Sequence, residues 1–254
     1  MLLTKLHLAQ YGAVLWASTA ARVAVGGAVT LAFALLGRAV RGVSFSGAIA
    51  GGVICLILLC TAGPGAFLVL FSLFAVTWIA TRLGRSRKQI LGTAERREGR
   101  TAAQVFANLS VAAVCGLVYA THANPVWLLG LVAAMAEVAT DTVASECGQA
   151  FSQEARLITT FERVSAGTDG GISIAGTVFG VGAGLVIGLV GVACGLVPMW
   201  LLWAPVVAGV MGMLADSVLG AWLERRRWLN NEQVNLAGTA IAAAIGVVSV
   251  RMFA

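Results

Sequence analysis

The sequence predicts an all-α protein, a polytopic transmembrane helical bundle of about eight spans joined by short loops. Hydrophobic residues make up 59% of the 254-residue chain and charged residues only 11%. An ordinary soluble domain carries roughly 25% charged residues, and a soluble fold of this size cannot cover its surface with so few. The mean hydropathy is +0.91, and apolar runs long enough to cross a bilayer recur along the chain, separated by charge or turn residues. These observations exclude a soluble α/β domain, a secreted disulfide scaffold and a large extramembrane catalytic domain.

The spans are justified in order by those interruptions. The first run, about 13–36, contains Arg22; the second and third, 43–60 and 64–81, are separated by Thr61-Ala62-Gly63-Pro64-Gly65. The fourth, about 103–121, and fifth, 126–146, flank His122-Ala123-Asn124-Pro125. The sixth (172–196), seventh (199–222) and eighth (234–253) follow, and the whole reads as one transmembrane domain, 1–254. The N-terminus lacks the short apolar core and small-residue cleavage site of a cleavable signal peptide.

Basic residues fall on alternate loops. Arg38 and Arg41; Arg82, Arg85, Arg87, Lys88, Arg96, Arg97 and Arg100; Arg156 and Arg163; and Arg225, Arg226 and Arg227 are 14 of the 17 basic residues. The positive-inside rule places these four loops in the cytoplasm or its equivalent. The formal net charge of +6 is therefore a one-sided face, suited to anionic lipid headgroups and nucleotide and not to nucleic acid. Cys55, Cys60, Cys115, Cys147 and Cys194 lie in or beside spans with no CxxC spacing, and read as small apolar packing residues.

The halves about 1–121 and 122–254 read as a parallel four-plus-four repeat. Gly42-Val43-Ser44-Phe45-Ser46-Gly47 opens the second span as Gly171-Ile172-Ser173-Ile174-Ala175-Gly176 opens the sixth, and Leu83-Gly84 closes the third as Leu219-Gly220 closes the seventh. In a repeat-built membrane protein the site lies between the halves.

Polar groups inside spans are costly and are functional candidates by default. Glu137, Asp141 and Ser145 share a face of the fifth span at steps of four, with Thr142 and Glu146 on a neighbouring stripe. The seventh span holds Asp216 and Ser217, the fourth Gln104 and Asn108, and the eighth opens with Gln233 and Asn235. In the derived topology these lie near the cytoplasmic face, except Glu137, about 13 Å deeper than Glu146. Loop 159–173 is rich in Gly, Thr and Ser and leads into a helix N-terminus, where free N–H groups suit phosphate; its alternative reading is a plain re-entry turn. Three carboxylates, Asp141, Glu146 and Asp216, beside such a loop suggest Mg²⁺ holding a nucleotide or diphosphate. The bland readings are an interhelical hydrogen bond for Asp216, and for Glu137 a partner for Arg22 or a polar helix contact. Gly180-Val181-Gly182-Ala183-Gly184 reads as a close-packing face, and His7 and His122 take no role.

The blocks Gln104-Val105-Phe106-Ala107-Asn108, Asp141-Thr142-Val143-Ala144-Ser145-Glu146, Leu157-Ile158-Thr159, Gly167-Thr168-Asp169-Gly170-Gly171-Ile172-Ser173 and Asp216-Ser217-Val218-Leu219-Gly220-Ala221, with the late Asn235, resemble the integral membrane family that includes plant phytyl-phosphate kinase and many prokaryotic homologues. The resemblance covers roughly 40–254; Ser165-Ala166 stands where that family often has a proline. It implies transfer of a phosphoryl group from a nucleoside triphosphate, CTP, to an isoprenoid monophosphate, yielding an isoprenoid diphosphate. On that reading Asp141, Glu146 and Asp216 hold Mg²⁺ and the triphosphate. Thr168, Gly170, Gly171, Ser173 and Ser217 contact phosphate, Gln104, Asn108 and Asn235 orient phosphate or nucleotide, and Lys88 or Arg163 neutralises developing charge. An acceptor that is already an ionised phosphate monoester needs no strong general base.

The main rival is an ion-coupled transporter, since repeats, Gly-rich spans and intramembrane acids also describe carriers; against it, the acids crowd one interface. A CDP-alcohol phosphotransferase lacks its DGxxAR…GxxxDxxxD pattern here. A structural or assembly role is the third alternative.

Overall fold

The computed structural model describes residues 19–251, so His7, residues 13–18 of the first run and residues 252–253 of the eighth lie outside the described residues. Among the described residues seven helices are long and apolar enough to cross a membrane. In chain order they are α1 (Thr19–Ala39), α2 (Phe45–Arg82), α4 (Ala102–His122), α5 (Val126–Phe151), α6 (Ile174–Ala193), α7 (Trp203–Leu219) and α8 (Asn231–Arg251), with the short α3 (Arg85–Leu91) after α2. A 3₁₀ turn, Met199–Leu201, precedes α7, and a π-helical turn, Gly220–Glu224, extends it.

The second and third predicted spans form one 38-residue segment, α2, with a non-helical residue inside it. That residue is Gly63, at φ 81° and ψ −171°, followed by Pro64. Glycine tolerates the positive φ, and proline both lacks an N–H and disfavours helix before it. The limbs fold back on each other at this point. Trp78 Nε1 donates to Val40 O at 3.2 Å, and a Cβ on Gly42 would stand 2.7 Å from the Phe74 ring. A straight helix of that length would hold its ends roughly 57 Å apart. With α2 folded double, its two limbs correspond to the second and third apolar runs. Phe33 of α1 seats its ring against Phe67 and Phe74, with centroids 5.6 and 5.4 Å away.

Helix α5 is the hub. Its residues from Leu128 to Thr140 are all buried, the pattern of a helix enclosed on every side. It packs against α2, α4, α6, α7 and α8. The closest approach is to α6, where a Cβ on Gly176 would stand 2.4 Å from Ala144 O and one on Gly180 2.6 Å from Thr140 O. Of the predicted glycine face, Gly180 and Gly184 pack on α5, joined by Gly176, while a Cβ on Gly182 would have no neighbour within 4 Å; close approach through small residues is the way helices join in lipid.

The basic loops gather at one end of the bundle. There Gly84 abuts Ala150, Arg87 donates to Ser152 O and the Arg100 carbonyl accepts from Ser44 N at 2.9 Å. The opposite end holds Gly65 against Cys194. Two elements of the basic end differ from expectation. The 3–4 loop carries α3, and the expected re-entry loop is a three-stranded antiparallel sheet, β1 (Glu154–Leu157), β2 (Arg163–Ser165) and β3 (Gly171–Ile172), in the order β2-β1-β3. The buried Ala155 and Leu157 of β1 anchor it. A short strand with alternating burial is hidden in so polar a stretch because only two of its residues need be apolar. Among the described residues all five cysteines are free thiols, three of them buried.

Candidate functional site

A chamber with about 690 Å³ of open space lies at the basic end, between α5, α6, α7 and the segment 166–173. Its α5 side presents Asp141, Ser145, Gly148 and Gln149, and α7 adds Ser217. The opposite side is Thr168, Gly170, Gly171 and Ser173. Two glycines of this segment take left-handed conformations, Gly167 at φ 89° and Gly170 at φ 74°. A Cβ on Gly170 would meet Ala221 at 2.5 Å, so that position needs glycine both for its dihedral and for the π-helical turn pressed against it. Thr168 donates from Oγ1 to Ser165 O at 2.8 Å, which pins the turn. Ser173 is the N-cap of α6, its Oγ accepting from Gly176 N at 3.1 Å. The start of α6 thus borders the chamber, and helix N-termini favour anions.

Two acids line this chamber, Asp141 and Asp169, and Asp216 stands just behind the lining, next to Ser217 in the chain. Asp216 lies within electrostatic reach of Asp141, Asp169 and Glu224, and its Oδ2 is buried with no hydrogen-bond partner. Among the described residues no three acidic, histidine or cysteine side chains already converge as a cation cluster. Two carboxylates with phosphate oxygens are nonetheless a usual way to hold Mg²⁺, and the orphaned Asp216 oxygen is the kind of hard donor that ion takes. Deeper in the bundle, Glu137 is 1% exposed and its Oε1 also lacks a partner. The carboxyl is accommodated by two glycines: a Cβ on Gly212 would lie 2.5 Å from its Cγ, and one on Gly238 2.7 Å from its Oε1. Glu137 is thus seated against glycines of α7 and α8, and among the described residues it has no ion pair with Arg22.

The remaining predicted residues are placed elsewhere. Glu146 turns to the other side of α5, where it meets Lys88 Nζ at 2.5 Å. A five-residue step from Asp141 rotates about 140° around a helix, so one stripe cannot present both. Lys88, 1% exposed, also donates to Ala80 O at 3.2 Å and Thr81 O at 2.8 Å. All three of its protons are committed, which makes it a tie between α3 and the bundle and not a free cation at the chamber. Arg163 is 69% exposed and pairs with Glu154 at 3.4 Å, outside the chamber. Gln104 closes a capping box with Thr101, its Oε1 accepting from Thr101 N at 2.7 Å. Asn108 lines a separate groove on the α2 and α4 side of α5, and Asn235 lies in the first turns of α8, away from the chamber lining.

Four residues at or near the chamber were missed by the sequence reading: Gln149, Asp169, Thr177 and Glu224. Gln149 had a signal. It extends the stripe Glu137, Asp141, Ser145 by another step of four, and its Nε2 donates to Ser145 Oγ at 3.0 Å while its Oε1 is buried without a partner. Asp169 lay inside the glycine-rich GTDGGIS block without being singled out, and Glu224 had no signal, because only the packing of 168–171 on the π-helical turn brings the two acids towards Asp216.

The α-helical membrane bundle agrees with the comparisons. Residues 28–243 match the family described as integral membrane protein DUF92, and the chain belongs to that family. It is similar to an uncharacterized membrane protein of Synechocystis, 36% identical over 186 residues covering 71% of this chain and 72% of that one. A membrane protein of Methanocaldococcus jannaschii is 33% identical over 91% of this chain and 95% of its own. The chloroplastic protein VTE6 of Arabidopsis thaliana is 29% identical over 82% of this chain and 66% of its own. No solved structure matches the chain.

Proposed function

We propose that this protein is a prenyl-phosphate kinase of the membrane interface, transferring the terminal phosphoryl group of a nucleoside triphosphate, CTP, to an isoprenoid monophosphate. The observation that carries the reading is the chamber itself. Thr168, Gly170, Gly171 and Ser173, at the start of α6, line the same chamber as Asp141. Similarity to VTE6, together with the family resemblance of the DTVASE and GTDGGIS blocks, supports the choice of acceptor.

Asp141 and Asp216 are the residues to hold Mg²⁺, whose chemistry there is to neutralise phosphate charge. Thr168, Ser173 and the backbone N–H groups of the loop orient the triphosphate, and Ser217 borders its other side. The bond from the terminal phosphorus to the bridging oxygen breaks, a bond to an acceptor phosphate oxygen forms, and the nucleoside diphosphate leaves. Positioning and charge neutralisation do most of the work in such transfers. The one-sided basic loops support a cytoplasm-facing chamber.

One observation favours the rival reading of an ion-coupled carrier, the buried and unpartnered Glu137 in the middle of the bundle. The test separates the two. Purified protein is incubated with Mg²⁺, labelled CTP or ATP, and phytyl monophosphate. Labelled diphosphate is expected; absence of diphosphate with every nucleotide, alongside cation flux in proteoliposomes, rejects the kinase in favour of the carrier.

A further inference from the structure

On the far side of α5 from the chamber lies a second cavity, a groove with about 1080 Å³ of empty space counting its open mouth. Its body is apolar: Gly47, Gly51 and Gly52 of the first limb of α2 face Leu73 and Phe74 of the second, with Leu109 of α4 behind. Its mouth is cationic. Arg41, Arg82, Arg85, Arg96 and Arg100 line it against a single carboxylate, Glu95. Among the described residues none of these five is within ion-pair distance of an acid. Five arginines against one lining carboxylate leave a net positive mouth that fits a phosphate, and an apolar slot behind them fits a hydrocarbon tail.

The mouth is built, not incidental. Arg82 stacks on Trp78 with its guanidinium 4.2 Å from the ring centroid and donates to Val40 O. Arg41 closes α1 at φ 54°, a left-handed position that usually goes to glycine. Arg100 is fixed by its backbone, donating to Gly42 O at 3.1 Å and accepting from Ser44 N at 2.9 Å. Its Nη2 reaches Thr142 Oγ1 at 3.5 Å. Thr142 adjoins Asp141 in the chain, so Arg100 stands between groove and chamber.

We propose that this groove is the acceptor site, with the isoprenoid tail between the limbs of α2 and the monophosphate among the mouth arginines. Arg100 is the positioning residue that presents that phosphate towards the chamber, and the apolar depth near Gly51 sets the longest chain accepted. The assignment rests on the kinase reading for the identity of the acceptor, but the groove and its charge do not depend on that reading.

The test measures binding without nucleotide. Tritiated phytyl monophosphate is titrated onto the detergent-solubilised full chain, with phosphatidylglycerol as competitor and dimethylallyl monophosphate as the short-chain comparator. A Cβ at Gly51 would touch only Val105, at 3.9 Å, so Gly51→Leu fills the slot without a clash at Cβ. It is expected to weaken phytyl monophosphate binding at least about tenfold while sparing the short acceptor. Arg41→Gln with Arg96→Gln is expected to weaken both. A diazirine-tailed phytyl monophosphate, which needs no variant, should label α1, α2 or α4. Equal binding by wild type and Gly51→Leu, labelling confined elsewhere, or equal displacement by phosphatidylglycerol overturns the assignment. Groove binding without diphosphate formation rejects the kinase and leaves the groove standing. Diphosphate formation by Gly51→Leu with unchanged KM for the phytyl acceptor rejects the groove and leaves the kinase standing.

Discussion

The two cavities on either side of α5 are built by opposite means. The chamber is lined largely by serine, threonine, glutamine, aspartate and glycine, and the carboxylates among them are Asp141 and Asp169. The groove is lined by leucine, phenylalanine and glycine, and its anion-facing groups are arginine side chains. A site that must hold cation and phosphate together needs acids close by. A site that takes phosphate from an amphiphile needs fixed positive charge above an apolar slot. The difference teaches that the charges lining the two cavities are sorted: the arginines of the groove lie on the α2 and α4 side of α5, and the carboxylates of the chamber lie on the other.

Substitutions can break or sharpen that contrast. The largest effect is expected from Asp141→Asn. Loss of a metal-holding carboxylate is worth several kcal/mol of barrier, on the order of a thousandfold in kcat. Phytyl monophosphate binding in the groove should be unaffected, and nucleotide turnover with acceptor titration reads both. A variant that retains full turnover would remove Asp141 from the site.

Lys88→Met tests a tie that belongs to neither cavity. It strands Glu146 beside a buried apolar side chain, and breaking a buried ion pair on one side costs about 3–5 kcal/mol. Thermal unfolding in detergent should show the loss, and the double variant Lys88→Met with Glu146→Leu should recover much of it. If Lys88 acts in chemistry instead, the double variant stays inactive while its stability returns.

Gly170→Val should cost about 1–2 kcal/mol from the left-handed backbone alone, and more from the contact with Ala221. The expected readout is weaker nucleotide binding with acceptor binding unchanged. Arg163→Ala should do least. Its pair with Glu154 is solvent-exposed, and such pairs contribute about 0–1 kcal/mol. Unchanged turnover would agree with its position outside the chamber; a collapse in kcat would bring it back into the site.

Much of this was legible in the residues. The apolar runs located the crossings, the Gly63-Pro64 break marked the turn between two of them, and the i, i+4, i+8 stripe through Asp141 and Ser145 named one wall of the chamber. The GTDGGIS segment was legible as a glycine-rich turn at a helix start, because glycine content and capping serine are local properties. Glu146 was misplaced because its proximity to Asp141 in the chain hides a rotation of about 140° around the helix. Lys88 was misplaced because a basic residue in a basic loop carries no mark of burial.

What the sequence by itself determined is the part governed by solvent and by local geometry: a helical membrane bundle, alternating basic loops, the seam of Gly176 and Gly180, and the polar stripe of α5. What only the tertiary structure decided is which distant groups meet. Folding α2 back at Gly63 and laying it beside α1 and α4 makes the groove, and pressing Gly170 on Ala221 gathers Asp169 and Glu224 towards Asp216. Those encounters depend on interhelical packing between residues far apart in the chain, where a few ångströms of close approach, permitted by glycine, decide which side chains share a cavity.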